Sequence, residues 1–254
     1  VMPGFINNHA HVGDVPKAPE AEYAYKLWMA HGITTIRTVP AGPLNWTLNE
    51  RERSANNDIV APRIYAYHVP GDGEDWDGGP IHTPEAGREW VRWAADKGID
   101  GLKIFNFPPD VLEALLDEAE QHDLGSTAHL NQLMVAETNA RQAVDMGLGT
   151  VTHFYGLFES MYDDNDVQAW PYDMNYSDEQ KRFTQVARQW NMVVEQGSEP
   201  WNDLIQHFLD HDTVLDPTMT AYLAGRDVMR SRNADWHKYT LPSLWDFYRP
   251  SRVN

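Results

Sequence analysis

Four histidines and one lysine stand where their side chains could share metal ions. His9 and His11 form an H-x-H pair at the end of the first apolar run, and alternation along a β-strand places residues i and i+2 on one face. Two imidazoles on one face can bind one divalent cation. His129 and His153 each end a later apolar run. A single histidine at a strand end is more often structural, so the interpretation depends on how these residues are spaced.

Lys103 interrupts the apolar run Gly101-Leu102-Lys103-Ile104-Phe105, which predicts a strand buried on both faces. A solitary ammonium there would cost several kcal/mol. A salt bridge, or an aliphatic stem that carries the ammonium to solvent, would remove this cost. The alternative is a neutral amine with a pKa lowered by burial, to which CO2 adds to give a carbamate that bridges two cations.

The spacing of these residues matches a repeating unit of strand and helix. Lys103, His129 and His153 are separated by 26 and 24 residues, each about the length of one such unit, and the 92 residues from His11 to Lys103 leave room for two further strands. Strand ends one unit apart lie at similar heights on neighbouring strands. We therefore expect all five side chains to meet at one end of a sheet.

Apolar runs and amphipathic stretches alternate along the chain. Seven runs predict strands, at 4–12, 34–39, 63–68, 101–107, 126–131, 150–155 and 213–220. The stretches between them predict helices, at 19–31, 84–97, 111–122, 135–146 and 177–190, and most end close to a glycine. This order predicts a parallel sheet in one domain over residues 1–254, a TIM-like (β/α)8 barrel of the α/β class that is about one unit short of eight strands.

The composition excludes several classes of protein. With 20 Lys plus Arg against 38 Asp plus Glu, the formal charge of −18 argues against a nucleic-acid partner. The apolar runs are shorter than the roughly 20 residues of a membrane span. The lack of Cys excludes thiolate ligands but does not distinguish a cytoplasmic from a periplasmic or secreted protein. We expect a soluble domain that acts on a small molecule or a short peptide.

The motifs at these positions resemble the amidohydrolase superfamily. The chain opens with Val-Met-Pro-Gly-Phe-Ile-Asn-Asn-His-Ala-His-Val-Gly, and Leu-Lys-Ile-Phe, Thr-Ala-His-Leu and Val-Thr-His follow. These motifs are most similar to the imidazolonepropionase-related and prolidase-like branch, over residues 1 to about 220. The resemblance implies a barrel with a binuclear metal centre.

The resemblance also implies a role for each residue. It places His9 and His11 on the more buried cation, and His129 and His153 on the more exposed one. Carboxylated Lys103 would bridge the two cations and, with His153, is assigned to catalysis. Zinc is the favoured occupant for two divalent ions with such ligands. A hydroxide between the cations would attack an amide or peptide-like carbonyl, so the implied reaction is hydrolysis of a C–N bond.

Two parts of the family pattern are missing. The family has an Asp at the end of strand eight that binds metal and acts as a general base, and this chain has no matching strand. The β-sandwich that usually precedes Pro-Gly-Phe-Ile is missing too, and Val1 opens within the pattern, which indicates a cut N-terminus. Asp216, before Pro217, could replace the missing strand-eight Asp, but an Asp before Pro commonly organises a turn, so the sequence argues against this role. The unpaired edges of an incomplete barrel predict aggregation, flanking sequence or a partner chain, such as a second copy.

Two alternative functions stay open. A mononuclear deaminase of the same superfamily would require H-x-x-E after strand five, whereas His129 is followed by Gln132 at that position. The chain could also be a catalytically inactive fragment or a binding module that keeps the barrel.

Three residues near the predicted mouth of the barrel are candidates for substrate binding. His68 ends strand three, Tyr155 follows strand six, and Arg37 on strand two could hold a carboxylate. Structural roles compete with these assignments, because His68 could be buried and Arg37 could pair with an acid of the chain. The acidic and aromatic loops at 69–83 and 156–176 favour an apolar or cationic substrate group.

One further pair of histidines has metal-ligand spacing. His207 and His211 stand at i and i+4 of a predicted helix, but the segment lacks the glutamate of an H-E-x-x-H motif. The sequence therefore favours an ordinary surface helix there.

Overall fold

Seven parallel strands form one curved sheet in the order of the sequence. The computed structural model describes residues 1–12, 21–40, 42–105, 107–130, 135, 137–162, 170–175 and 178–247. Each strand pairs in parallel with the next one along the chain. The strands are β1 (Phe5–Ala10), β2 (Ile33–Thr38), β3 (Arg63–His68), β4 (Gly101–Ile104), β5 (Gly125–Ala128), β6 (Thr150–Thr152) and β7 (Val214–Asp216).

Helices return the chain from each strand to the next. They are α1 (Ala21–Ala30), α2 (Leu44–Ala55), α3 (Pro84–Lys97), α4 (Pro109–Gln121), α5 (Ala140–Asp145), α6 (Glu179–Gln189), α7 (Glu199–Asp210), α8 (Met219–Arg226), α9 (Val228–Arg232) and α10 (Pro242–Phe247). Two 3-10 helices lie at Glu159–Met161 and Asp235–Tyr239. Alternating strands and helices around a parallel sheet confirm the predicted TIM-like α/β barrel with seven strands.

The sheet curves into a nearly closed barrel, in which Asp216 of β7 contacts His9 of β1. The guanidinium of Arg37, on β2, crosses the interior and contacts four other strands. It donates to the carbonyl oxygen of Asn8 at 2.8 Å, to Oγ1 of Thr150 at 3.1 Å and to Oγ1 of Thr127 and Oδ2 of Asp216, each at 3.4 Å. One planar side chain therefore joins β2 to β1, β5, β6 and β7 inside the barrel.

Apolar packing lies mainly between the sheet and the surrounding helices. Trp90 of α3, Leu115 of α4 and Leu102 of β4 are all fully buried in one large cluster. A smaller cluster packs α1 against β1 and β2 through Tyr25 and Ile36. Burial of these side chains, at about 25 cal/mol per Å² of apolar surface, fixes the helices against the strands that carry the polar residues.

Several predicted elements are shorter in the structure, and the difference is largest for β7 and α5. β7 ends at Asp216 rather than at position 220, because Pro217 has no N–H to donate and Thr218 is left-handed, with φ of 55°. α5 begins at Ala140 rather than at position 135, because Asn139 and Gln142 form a capping box that starts the helix there. No strand follows β7 within the described residues, as the sequence predicted. In the same residues, no helix has the length and apolar character needed to cross a bilayer.

Candidate metal centre

Four imidazole rings meet at the carboxyl ends of β1, β5 and β6. The ring of His9 lies 5.1 Å from that of His11 and 5.0 Å from that of His153, between centroids. His153 in turn lies 4.7 Å from His129. The structure thus brings together the four histidines that the spacing predicted, and we name them the mouth histidines.

His9 and His11 present the same nitrogen to each other. Nδ1 of His9 lies 3.3 Å from Oδ2 of Asp216, and Nδ1 of His11 lies 3.2 Å from the carbonyl oxygen of Pro40. When both Nδ1 atoms carry the proton, two Nε2 lone pairs face each other at 3.2 Å. Two Zn–N bonds of about 2.1 Å at a tetrahedral angle separate their nitrogens by about 3.4 Å. This pair therefore has the geometry of two ligands of one cation.

His153 follows β6 in a conformation that histidine rarely adopts. Its φ is 64°, in the left-handed region. Its Nδ1 lies 2.9 Å from Oγ1 of Thr218, which is also left-handed. Strain of this kind costs about 1–3 kcal/mol per residue and tends to cluster at functional sites. The contact leaves Nε2 of His153 available on the side of the ring away from Thr218.

Aromatic rings hold His129. Tyr155 stacks on it with centroids 4.8 Å apart and an interplanar angle of 25°, and Phe105 lies 5.6 Å away. Tyr155 is 2% exposed. The structure therefore places this substrate candidate behind a predicted ligand, where it restricts the orientation of the imidazole.

Lys103 is buried, with 1% of its surface exposed. Its Nζ has no hydrogen-bond partner among the described residues and lies 5.2 Å from the centroid of the Phe105 ring. Burial lowers the pKa of Lys103 to about 7, the Arg37 charge acts in the same direction, and Asp216 opposes both. The sequence left open a salt bridge or an ammonium that reaches solvent. In the structure, Nζ is shielded from solvent and forms no direct salt bridge with the described residues.

The mouth histidines are held neutral. Burial is the main cause, and it lowers the pKa of His11 to about 4, of His129 to about 3 and of His153 to about 2. Burial also lowers the pKa of His9, although the close contact with the Asp216 carboxylate opposes this change. The positive charge of Lys103 lowers the pKa of all four. Neutral imidazole is the form that binds a metal ion.

Asp216 lies at the centre of this charge arrangement. Burial opposes its ionisation, but the close contact with His9 and the charges of His9, Arg37 and Lys103 lower its pKa overall. Its Oδ2 contacts both His9 and Arg37, at 3.3 and 3.4 Å. Asp216 therefore acts on His9 through Nδ1, which is the usual arrangement of a carboxylate behind a ligating histidine. Arg37, another candidate for substrate binding, thus forms an ion pair with Asp216 of the same chain.

His68 is 2% exposed, and its closest ionic contact is Oδ2 of Asp72, 3.9 Å from Nε2. It follows Tyr67, whose ring lies 5.2 Å from the Arg37 guanidinium inside the barrel. Strand alternation points His68 to the opposite face, toward the helices.

Two acidic residues of the first predicted mouth loop contact other residues of the chain. Glu74 accepts the backbone N–H of Asn45 at the start of α2, and Asp75 pairs with Lys97 of α3 at 2.7 Å. In the second loop, positions 163–169 and 176 lie outside the described residues. Gln132, which stands where a mononuclear deaminase has the glutamate of H-x-x-E, also lies outside them.

Some residues of the site carried no clear signal in the sequence. Thr218 fell inside a predicted strand, and Pro40 contributes only a backbone oxygen. Asp216 was visible as a polar residue at a strand end, but its contact with His9 depends on β7 curving back to β1.

Comparisons with known proteins add little to this geometry. No family profile matches the chain, and no curated protein matches its sequence. One solved structure, described as a "putative prolidase from Bifidobacterium longum", has a TM-score of 0.47 and 23% identity over 66% of this chain. The match spans 45% of the length of that protein. A Schiff-base-forming fructose-1,6-bisphosphate aldolase matches with a TM-score of 0.32 and 12% identity, over 97% of this chain and 92% of its own.

Proposed function

We propose that this barrel is a metal-dependent hydrolase that cleaves a C–N bond of an amide or peptide-like substrate at a binuclear centre. The observation that carries the proposal is the meeting of four imidazoles at the carboxyl ends of the strands. Lys103 of β4 has a buried amine with no hydrogen-bond partner among the described residues, and its charge acts on all four imidazoles. In parallel α/β barrels, this end of the sheet carries the active site.

The donor set fits two cations better than one. Among the described His, Asp and Glu residues, no three donor atoms of the mouth lie within 4.8 Å of one another. His9 and His11 form a close pair, and His129 and His153 form a second pair beside it. His9 and His11 would hold one cation, His129 and His153 the other, and a group derived from Lys103 would bridge them. Zinc suits such ligands.

Lys103 would supply the bridge through reaction with CO2. The lone pair of the neutral amine attacks the carbon of CO2, an N–C bond forms, one C=O π bond becomes a C–O⁻, and the nitrogen releases one proton to solvent. The product is a carbamate anion on Nζ. A pKa near 7 provides the neutral amine at physiological pH, which an ordinary lysine does not.

Divalent cations held by these residues would lower the pKa of water and polarise a carbonyl oxygen, which is the chemistry that amide hydrolysis needs. The chain's own residues orient the ligands. Asp216, Pro40 and Thr218 hold the Nδ1 atoms of His9, His11 and His153, and Tyr155 holds the ring of His129. Because Asp216 is committed to His9 and Arg37, we assign it a positioning role rather than that of a general base.

The proposal is tested by metal content and by the state of Lys103. Protein loaded with Zn²⁺ in ¹³C-bicarbonate is expected to hold two equivalents at the mouth and to show a carbamate carbon by NMR. Lys103→Met should lose the carbamate signal and metal, whereas Lys26→Met, an exposed lysine paired with Glu22, should lose neither. Hydrolysis of N-acyl amino acids and X-Pro dipeptides by the loaded protein completes the test.

The alternatives give different results. One equivalent of metal with no carbamate and release of ammonia from a heterocyclic base would favour a mononuclear deaminase. No metal at the mouth and no carbamate would leave a binding module or an inactive barrel.

A further inference from the structure

A second group of metal-binding side chains lies away from the mouth. Asp145 ends α5, and His207 and His211 lie at the end of α7. One donor atom from each of the three lies within 4.8 Å of the other two, and no other set of three His, Asp or Glu in the described residues meets this condition. We name this group the α5–α7 cluster.

The cluster is at the opposite end of the barrel from the mouth histidines. α5 leads into the amino end of β6 at Thr150, and α7 leads into the amino end of β7 at Val214. The mouth histidines follow the carboxyl ends of their strands. The two groups therefore cannot share an ion, and the cluster is independent of the proposed hydrolase function.

His207 and His211 are arranged like a helical pair of ligands. Positions i and i+4 lie on one face of a helix, and the two rings are 4.3 Å apart between centroids. Nδ1 of His211 lies 2.8 Å from the carbonyl oxygen of His207, where only a protonated nitrogen can donate. This contact fixes the tautomer of His211 and leaves the lone pair of Nε2 free for an ion.

His207 has an unsatisfied nitrogen that faces a carboxylate. Its Nε2 is shielded from solvent and makes no hydrogen bond to the described residues, although it lies 3.2 Å from Oδ1 of Asp145. The side chain of His207 is 14% exposed and that of Asp145 is 54% exposed. A cation between the imidazole and the carboxylate would satisfy both groups. The 3.2 Å between Nε2 and Oδ1 is close to the separation of two donor atoms on one zinc ion, about 3.4 Å.

We propose that Asp145, His207 and His211 form a second, structural metal site that binds Zn²⁺ or a similar transition-metal ion and joins α5 to α7. Two imidazoles and one carboxylate make a common ligand set for zinc, with water completing four-coordination. The hard cations Ca²⁺ and Mg²⁺ prefer all-oxygen sites, so they should bind weakly. Because α5 has only six residues, it is too short to be stable as an isolated helix, and the bound ion would stabilise it by linking it to α7.

The test uses the whole chain, stripped of metal and titrated with ZnCl2. We expect wild-type protein to bind one equivalent more than His211→Ala and one more than Asp145→Asn, by calorimetry and by zinc analysis. Zinc should slow amide hydrogen exchange about tenfold in α5 and in the last turn of α7, and this local protection should be absent from both variants. Both side chains are exposed, so neither change is expected to unfold the protein.

A matched control is available just after α1. His31 makes the same contact from Nδ1 to the carbonyl oxygen of residue i−4, Leu27, at 2.8 Å, but lies outside the cluster. His31→Ala should keep the full number of zinc equivalents and the protection in α5 and α7. If His211→Ala and wild type bind equal numbers of equivalents, or if zinc leaves exchange in α5 and α7 unchanged in wild type, the α5–α7 site does not exist. If the mouth binds no metal, the difference of one equivalent between wild type and His211→Ala and the protection of α5 and α7 are still expected.

Discussion

Oδ2 of Asp216 lies 3.3 Å from Nδ1 of His9, so a carboxylate on the last strand of the sheet orients an imidazole on the first. Their side chains are 12% and 8% exposed, which limits competition from water. The contact makes the proposed centre dependent on barrel closure, because the ligand and its acceptor come from opposite edges of the seven-stranded sheet. Within the described residues, β7 thus supplies the acceptor that holds His9 in place.

Asp216→Asn tests this relationship. The amide has nearly the same shape but carries no charge, so His9 loses the anion that favours its Nδ1–H form. We expect zinc affinity at the mouth to fall about 10–100-fold, as for other residues that support a metal ligand. Competition with a chelator measures this change. Asp173→Asn, at an exposed position, is the control and should bind zinc like wild type. Equal affinity in Asp216→Asn would show that the carboxylate does not position His9.

Lys103→Met removes a buried amine and keeps an unbranched side chain of similar length. Without bicarbonate and metal, the variant should be more stable than wild type at pH 6 by several kcal/mol, because wild type must bury an ammonium. The pKa of Lys103 is about 7 when folded and about 10.5 when unfolded. Wild-type stability should therefore rise with pH between about 7 and 10.5, where the unfolded chain binds the additional proton.

Urea denaturation of both proteins across this range measures the difference. The advantage of Lys103→Met should shrink by about 1.4 kcal/mol per pH unit. The control, Lys26→Met, removes an exposed lysine and should keep a constant difference within about 0.5 kcal/mol. A difference between Lys103→Met and wild type that does not change with pH would mean that the folded amine stays protonated.

Acid should destabilise the metal-free protein before its carboxylates titrate. The pKa values of the mouth histidines are lowered in the folded state, so below about pH 6.5 the unfolded chain takes up protons that the folded chain does not. The contribution of these histidines to stability is full well above that pH. Between pH 6.5 and 5.5 we expect a loss of about 1 kcal/mol for each of His11, His129 and His153, and a further loss from His9 in the same direction.

The double variant His129→Asn/His153→Asn should lose about half of this pH dependence in urea denaturation. His82→Asn, at an exposed position, should leave the pH dependence as in wild type. A wild-type stability that stays flat from pH 6.5 to 5.5 would contradict the burial of neutral imidazoles.

The barrel and the mouth histidines could be predicted from sequence because both depend on local periodicity. Strand alternation places His9 and His11 together, and the regular spacing of Lys103, His129 and His153 requires only that each unit has the same length. Parallel strands in sequence order then bring the ends together. No side-chain contact had to be known in advance.

The supporting contacts could not be predicted, because they depend on tertiary geometry. Asp216 reaches His9 only through the curvature of seven strands. Asp145 reaches His207 across 62 positions, so the helical pair lacked a visible third ligand in the sequence. His153 and Thr218 take left-handed backbone conformations that their residue types disfavour, and no pattern of hydrophobicity signals such a change.

Thr218 offers a test in which stability and metal binding should move in opposite directions. The residue is β-branched and has φ of 55°, so its conformation is strained, while its Oγ1 holds Nδ1 of His153 at 2.9 Å. Thr218→Gly relieves the strain but removes the hydroxyl. We expect the metal-free variant to be as stable as wild type or more stable by about 1 kcal/mol, and its zinc affinity at the mouth to fall about tenfold.

Thr218→Ser separates the two effects, since serine keeps the hydroxyl without the branched methyl group. This variant should bind zinc like wild type in the same chelator competition. Calorimetric unfolding of the metal-free proteins gives the stability order. Because glycine at a strained position adds freedom to the unfolded chain as well, the gain from relieved strain is partly offset. A fall in both stability and zinc affinity in Thr218→Gly, with Thr218→Ser equally impaired, would mean that the methyl group packs the turn and that the hydroxyl does not orient His153.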